Sequence, residues 1–388
     1  MDHGPFAEPY PRFTRAEMDR RRGLLEDAMA AEGATHLVVY GANRVGPAVG
    51  WLTNWPVTRE AVVVVEPGEQ DVLLVQFYNH VPNAREVATD ADVRWGGPSC
   101  VASAVGILKE RSARRIGLIG LLPARERDAF AAVAPVVELD HAYGAARQVK
   151  SAEEIEFLRM GARLTDAGME ALAATARHGV PERHLAAVVE GAYRRSGAVN
   201  HIHYFGITSM SDPSRCVPAQ YQSSRKVARG DVLTAEISAS YWDYPGQVLR
   251  TLAVEAEPTS LYRELHAVAD AAFDAVCAVL RDGASCGDVV AAAGVIEDAG
   301  FTIYDDLLHG FGGGYLPPVL GTRSRTNGEV PDLRFRAGMT VVVQPNVITK
   351  DEKAGVQTGE LVLITEEGHE RLHSFEPGFL RAPRDRPR

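Results

Sequence analysis

Five short segments in the second half of the chain restrict its fold more than any bulk property does. They span residues 230–236, 244–251, 309–312, 338–345 and 355–360. Apolar runs of strand length carry or adjoin Glu236, Gln247 and Gln344, and His309 opens a glycine-rich stretch that suits a tight turn or a close approach of main chain. A buried polar group costs free energy unless something pairs with it. One plain use of such side chains is to satisfy buried main chain. Period-two alternation puts Val232, Thr234, Glu236 and Ser238 on one face of the first run.

The chain has 388 residues, which is long for one core, so two domains are expected. Its formal net charge of −10 offers no basic footprint for nucleic acid. The four cysteines form no CxxC pair, which argues against a structural zinc site and suits a reducing cytoplasm. The amino terminus lacks the basic start and apolar run of a signal peptide. No apolar stretch approaches the ~20 residues of a membrane span. Residues 381–388 are basic and broken by proline, and read as a frayed tail.

Along the chain, an amphipathic helical pattern over 14–32 opens at Thr14. Apolar runs at 36–40, 61–65 and 72–75 follow, with Pro67-Gly68 turning the second into the third. A further β-run at 115–119 lies between helical patterns at 101–111 and 123–133, which makes an α/β domain ending near residue 145. Ser151 with Glu154 forms a capping box that starts a new helix. Helical patterns then fall at 152–175, 182–196, 259–281 and 286–299. The β-runs between and after them fall at 232–240, 248–254, 340–343 and 360–364.

The order and local context of the five segments resemble the family of methionine aminopeptidase, proline dipeptidase, aminopeptidase P and creatinase. The resemblance implies an α+β fold. A carboxy-terminal, internally duplicated pita-bread domain over residues 147–380 follows a smaller α/β creatinase-type domain over 1–146, with the tail at 381–388. The metal-binding members of that family use two aspartates, one histidine and two glutamates. The matching positions here are Glu236, Gln247, His309, Gln344 and Gly359. An amide oxygen is a weak neutral ligand, and glycine offers none. Glu360 is adjacent, but a one-residue shift on a strand turns a side chain to the other face. The expectation is a divergent member with no metal and no cofactor.

The chemistry left is acid–base chemistry. The reading is a metal-independent, creatinase-like enzyme that cleaves a C–N or related bond of a small polar metabolite, by hydrolysis or by elimination. His309 serves as base or acid, and Glu236 orients it. Tyr315 stands where the family has a second histidine and offers a hydrogen bond to a developing oxyanion. Gln247, Arg250, Gln344, Gln357 and His203 are candidates for binding the substrate, with Arg250 either an anion binder or a clamp on a glutamate. By the resemblance, Arg59 and Trp55 of a neighbouring subunit complete the pocket of a cytoplasmic homodimer. Plainer readings stand beside these: glutamines satisfying buried main chain, an ordinary His203, a core Trp55 and a surface Arg59. Creatinase keeps its acid/base histidine in the loop before the Gly-Asp strand, and residues 216–225 here contain none. Creatinase activity itself is therefore not expected. The alternatives are a metallopeptidase of Xaa-Pro type with unusual ligands, and an inactive binding module. No nucleic-acid or membrane partner is expected.

Overall fold

A computed structural model describes residues 10–383 of the chain. The first nine residues, on which the expected lack of a signal peptide rests, and residues 384–388 of the basic tail lie outside the described residues. The chain divides into two compact units between Arg147 and Gln148.

The first unit runs α1 (Arg15–Ala31), β1 (His36–Ala42), α2 (Pro47–Thr53), β2 (Glu60–Val65), β3 (Val72–Val75), α3 (Val81–Val87), β4 (Asp92–Trp95), α4 (Cys100–Glu110), β5 (Ile116–Ile119), α5 (Ala124–Ala131), β6 (Val136–Glu138) and α6 (Asp140–Ala146). Thr14 caps α1 by accepting the Glu17 N–H. The six strands form one mixed sheet in the order β4-β3-β2-β1-β5-β6. Val39, Val63 and Val65 enter the core on one side, and Val38, Val62 and Val64 enter it on the other. A sheet covered on both faces explains why these strands read as unbroken apolar runs.

The second unit opens with α7 (Ala152–Thr175), held at its start by the Ser151–Glu154 capping box. It continues through α8 (Glu182–Arg194), β7 (Val199–Ser209), β8 (Asp231–Tyr241), β9 (Tyr244–Pro245), β10 (Val248–Val254) and α9 (Ser260–Val279). The pattern over 286–299 resolves into two short helices, α10 (Cys286–Ala292) and α11 (Val295–Asp298), interrupted at Gly294. Then come β11 (Thr302–Ile303), β12 (Leu308–Phe311), β13 (Tyr315–Leu320), β14 (Thr340–Val343), β15 (Val347–Ile348), β16 (Gly359–Ile364), β17 (His369–Arg371) and β18 (Leu380–Ala382). The main sheet runs β13-β12-β14-β16-β10-β8-β7, with β17 beside β16, β18 beside β10 and β9 beside β8. This is the α+β, pita-bread architecture.

Register decides which side chains share a face, because residues directly opposite on paired strands point the same way. Leu249 lies opposite both Glu236 and Gly359. Gln247, two residues earlier, follows Leu249 to that face. His309 lies opposite Val342, which lies opposite Leu361, two residues beyond Gly359. Gln344 continues the phase of Val342. All five positions thus share one face, here called the front. Ile237, Val248 and Glu360 are mutually opposed and share the back. Helices cover the back: Gly168 of α7 packs towards Ile237, and α9 and α10 pack on Val341, Val343, Val362 and Ile364.

Candidate active site

The front of the second sheet carries a chain of polar contacts, buried except at Tyr315, which is half-exposed. The Gln247 Nε2 donates to Glu236 Oε1 at 2.7 Å and lies 3.3 Å from Gln344 Oε1. Gln344 Nε2 in turn donates to the Asp306 carbonyl at 3.3 Å. Tyr315 donates its hydroxyl to Asp306 Oδ1 at 3.4 Å and stacks on His309, ring centroids 3.7 Å apart and nearly parallel. Phe311 meets the same imidazole edge-on at 5.3 Å. The bend that brings His309 and Tyr315 together is a register shift at His309/Gly310. Gly310 allows it, since a Cβ there would lie 2.6 Å from the Pro317 carbonyl.

Burial sets the charges. Glu236 is buried and its carboxyl is pushed up to about 8, first by desolvation and then by the charges of Asp305 and Asp306. Asp306 is also raised to about 8, by desolvation and then by its neighbour Asp305, whose Oδ1 accepts the Asp306 N–H. His309 is driven down to about 4 by desolvation. The imidazole is therefore neutral at physiological pH. Its Nδ1 donates to the Gly310 carbonyl at 3.1 Å, which leaves Nε2 a bare acceptor.

Several buried polar atoms here have no protein partner: Gln247 Oε1, His309 Nε2 and Asp306 Oδ2, flanked by Ser238 Oγ, Gln357 Oε1 and both side-chain polar atoms of Asn346. Native interiors leave few such atoms unsatisfied, and a run of them on one connected set marks a place for a ligand or bound water.

The donors present do not fit a pair of divalent cations. The five front positions offer one carboxyl from Glu236, one imidazole and two amides, and the Asp306 carboxyl beside them is bonded by Tyr315 and pushed towards its neutral form by burial and by Asp305. An amide oxygen is a weak neutral ligand, and Gln344 Oε1 already lies 3.3 Å from the Gln247 N–H. Gly359 offers nothing and has no room for more. It sits at φ +153°, and a Cβ there would stand 2.2 Å from the Val343 carbonyl oxygen and 2.8 Å from Gln344 Cα. Among the described residues no group of three or more His, Cys, Asp or Glu is arranged to hold a metal ion.

The remaining sequence candidates are placed as follows. Arg250 is on the back. Its guanidinium donates to Glu360 at 2.6 Å and to the carbonyls of Leu249, Gly359, Phe375 and Glu376. It clamps a glutamate. Gln357 is buried, with its main chain tied to Thr251 in both directions. His203 lies opposite Ile237, not Glu236, and its Nδ1 is 3.5 Å from Glu190 of α8, so it faces the helices. Its neighbour Tyr204 lies opposite Glu236 and shares the front. In the first unit, Trp55 is buried in the core and Arg59 is on the surface, bonded to Asn43.

Sequence reasoning missed Asp306, Tyr204 and Asn346. Asp305-Asp306 between Ile303 and Leu308 was a findable signal, an acidic pair inside an apolar stretch three residues before His309. Tyr204 depends on register and carried no local mark.

A family model described as metallopeptidase family M24 matches residues 156–366, more than half of the chain. An uncharacterized peptidase of Staphylococcus saprophyticus is 26% identical over 251 residues, 62% of this chain and 66% of its own length. An Xaa-Pro dipeptidase of Pyrococcus furiosus is 25% identical over 235 residues, 60% of this chain and 65% of its own length. The matched part thus spans just under two thirds of these relatives. Among solved structures, an Xaa-Pro dipeptidase from Bacillus anthracis superposes with a TM-score of 0.79 at 19% identity, covering 94% of this chain and 99% of that one. An X-Pro aminopeptidase from Thermotoga maritima gives 0.80 at 18% identity, with the same coverage. At these identities the structures speak to fold alone.

Proposed function

The chain belongs to metallopeptidase family M24, and we propose that it is a hydrolase acting on a C–N bond of a small polar substrate through its own acid–base groups rather than a metal pair. One observation carries the reading: five positions share one face, yet they supply a single carboxyl, a single imidazole, two amides and a glycine on which a Cβ would clash with the Val343 carbonyl. Glu236, held protonated near neutral pH, is the acid that delivers a proton to the leaving nitrogen. His309 presents Nε2 as the acceptor that orients the attacking water, with Tyr315 holding the ring in place from one side. Gln247 and Gln344 orient the substrate. The unpartnered acceptors Gln247 Oε1 and His309 Nε2 favour an N–H-rich group at the buried end.

A second reading is an Xaa-Pro peptidase that uses metal. The relatives support it more than they support the first, since the named ones are Xaa-Pro dipeptidases and an M24 peptidase. Metal analysis with turnover of an Xaa-Pro dipeptide and a panel of small amides, ureas and guanidines, each with and without chelator, separates the two. The first reading expects no stoichiometric metal and turnover that is indifferent to chelator. It also expects loss of turnover in Glu236→Gln and His309→Ala, and decline above about pH 8 as Glu236 ionises. Stoichiometric metal, with chelator-sensitive cleavage restored by a divalent cation, establishes the second reading instead. We also propose a homodimer in the cytoplasm, which sedimentation and fractionation would check. The resemblance supports the dimer. Among the described residues no helix is long and apolar enough to cross a membrane.

A further inference from the structure

We infer that Asp166 and His373, buried on the helix-covered face of the second sheet, form a positioning pair that fixes the main chain at Gln247 and so aims its amide across the front. The inference rests on the reading of Gln247 as a substrate-orienting residue.

Gln247 lies between β9 and β10, where an N–H would ordinarily find a ladder carbonyl. It donates instead to His373 Nε2 at 3.2 Å. Its own carbonyl accepts the Leu361 N–H at 2.9 Å, so both of its main-chain groups are pinned. The other imidazole nitrogen, Nδ1, lies 2.6 Å from Asp166 Oδ1. Because Nε2 accepts, the proton belongs on Nδ1, where it is donated to the carboxylate. Asp166 Oδ2 accepts from the Ser374 N–H at 2.7 Å, the Ser374 hydroxyl at 2.9 Å and the Phe375 N–H at 3.2 Å. Desolvation would raise this carboxyl, but its bonds to His373 and Ser374 outweigh that and hold it below the usual range. Nε2 is engaged by main chain, so His373 is not available as a base. Its role is positional.

An independent feature seats α7 where Asp166 can reach. A Cβ on Gly161 would stand 2.3 Å from the Tyr244 carbonyl oxygen, and one on Gly246 would stand 2.5 Å from Ala162 Cα. The helix therefore lies main chain to main chain against the turn that precedes Gln247. Thr165, adjacent to Asp166, accepts the Ala239 N–H of β8 at 2.9 Å, while Asp166 holds the main chain of Ser374 and Phe375, so two successive side chains of α7 accept main-chain N–H groups. The one unpartnered polar atom of Gln247, Oε1, faces wherever this fixed backbone directs it.

Asp166→Asn gives a sharp test. Its oxygen stays with Ser374 and Phe375, so its amide N–H faces Nδ1. The imidazole must then carry its proton on Nε2, opposing the Gln247 N–H donor to donor. Imidazole ¹⁵N spectra of the full chain should show the Nδ1–H form of His373 in the parent and the Nε2–H form in Asp166→Asn. Exchange at the Gln247 amide should quicken about tenfold, the size expected for one lost hydrogen bond. His373→Gln, which restores an acceptor, should keep Gln247 protected, and His373→Leu should not. In the hydrolase assay, Asp166→Asn should add nothing to Gln247→Ala. Parent His373 in the Nε2–H form, equal protection in the two His373 variants, or additive losses in the cycle would overturn the inference. The spectra and the exchange need no turnover, so they decide it even if no C–N substrate is cleaved.

Discussion

Two buried glutamates of the second sheet meet opposite fates. Glu360 and Glu236 are 1% and 6% exposed, and lie one sheet position from Val248 and Leu249 on neighbouring strands. Glu360, on the back, receives two guanidiniums: Arg250 at 2.6 Å, and Arg371 through both of its carboxylate oxygens. Burial alone would raise its carboxyl, but the arginines hold it below the usual range. Glu236, on the front, receives one neutral amide and is raised to about 8. Partnership, and not depth, decides whether a buried acid is a structural anion or a proton donor. The back of the sheet is built for stability. The front keeps polar atoms unpaired, which stability alone would not favour.

The contrast can be broken most severely at Arg250. Arg250→Leu strands the Glu360 carboxylate with one partner and frees four carbonyls, and should cost about 3–5 kcal/mol in a urea titration. Glu236→Gln at pH 6 should cost under about 1 kcal/mol, since an amide replaces a protonated carboxyl. Similar losses at both sites would remove the distinction.

The next effect is a pH window. Between about 4.5 and 8 the folded chain keeps protons on Glu236 and Asp306 that the unfolded chain has released. Stability from these two groups therefore falls as pH rises through that window, on the order of a few kcal/mol. Glu360 acts in the other sense: its contribution is present above the unfolded carboxylate value and is lost as pH falls below it. Thermal unfolding across pH 4–9 should show the decline in the parent and a smaller one in Glu236→Gln. An unchanged slope would count against a protonated Glu236.

Smaller still is Gly359→Ala. Its Cβ meets the Val343 carbonyl at 2.2 Å, and a loss of about 1–3 kcal/mol is expected in the same titration. A neutral result would mean that the strand can yield to a side chain, reopening the position to a ligand. The least effect is expected from Tyr315→Phe, which gives up a half-exposed hydroxyl contact at 3.4 Å and should cost under about 1 kcal/mol in stability while leaving the ring on His309.

Much of this was legible before any coordinates. The apolar runs, the Thr14 cap, the Ser151–Glu154 box and the offset of Glu360 from Gly359 are local, and local chemistry writes them into the chain. His203 shows the limit. It and Tyr204 are adjacent in sequence and equally polar, and only pairing with β8 says which one faces Glu236. Asp166 and His373 are 207 residues apart and carry no motif.

The amino-acid sequence by itself determined the longer helices and the most apolar strands, the family, and the kinds of atoms available at the five positions, because period, capping and side-chain chemistry act over a few residues; it did not mark β7, β12 or β13, which carry Tyr204, His309 and Tyr315. Tertiary structure alone decided the charges on those atoms. Desolvation and the company of Asp305 and Asp306 at Glu236, and the two arginines at Glu360, are properties of what folding brings together, and they make one buried glutamate an acid and its neighbour a strut.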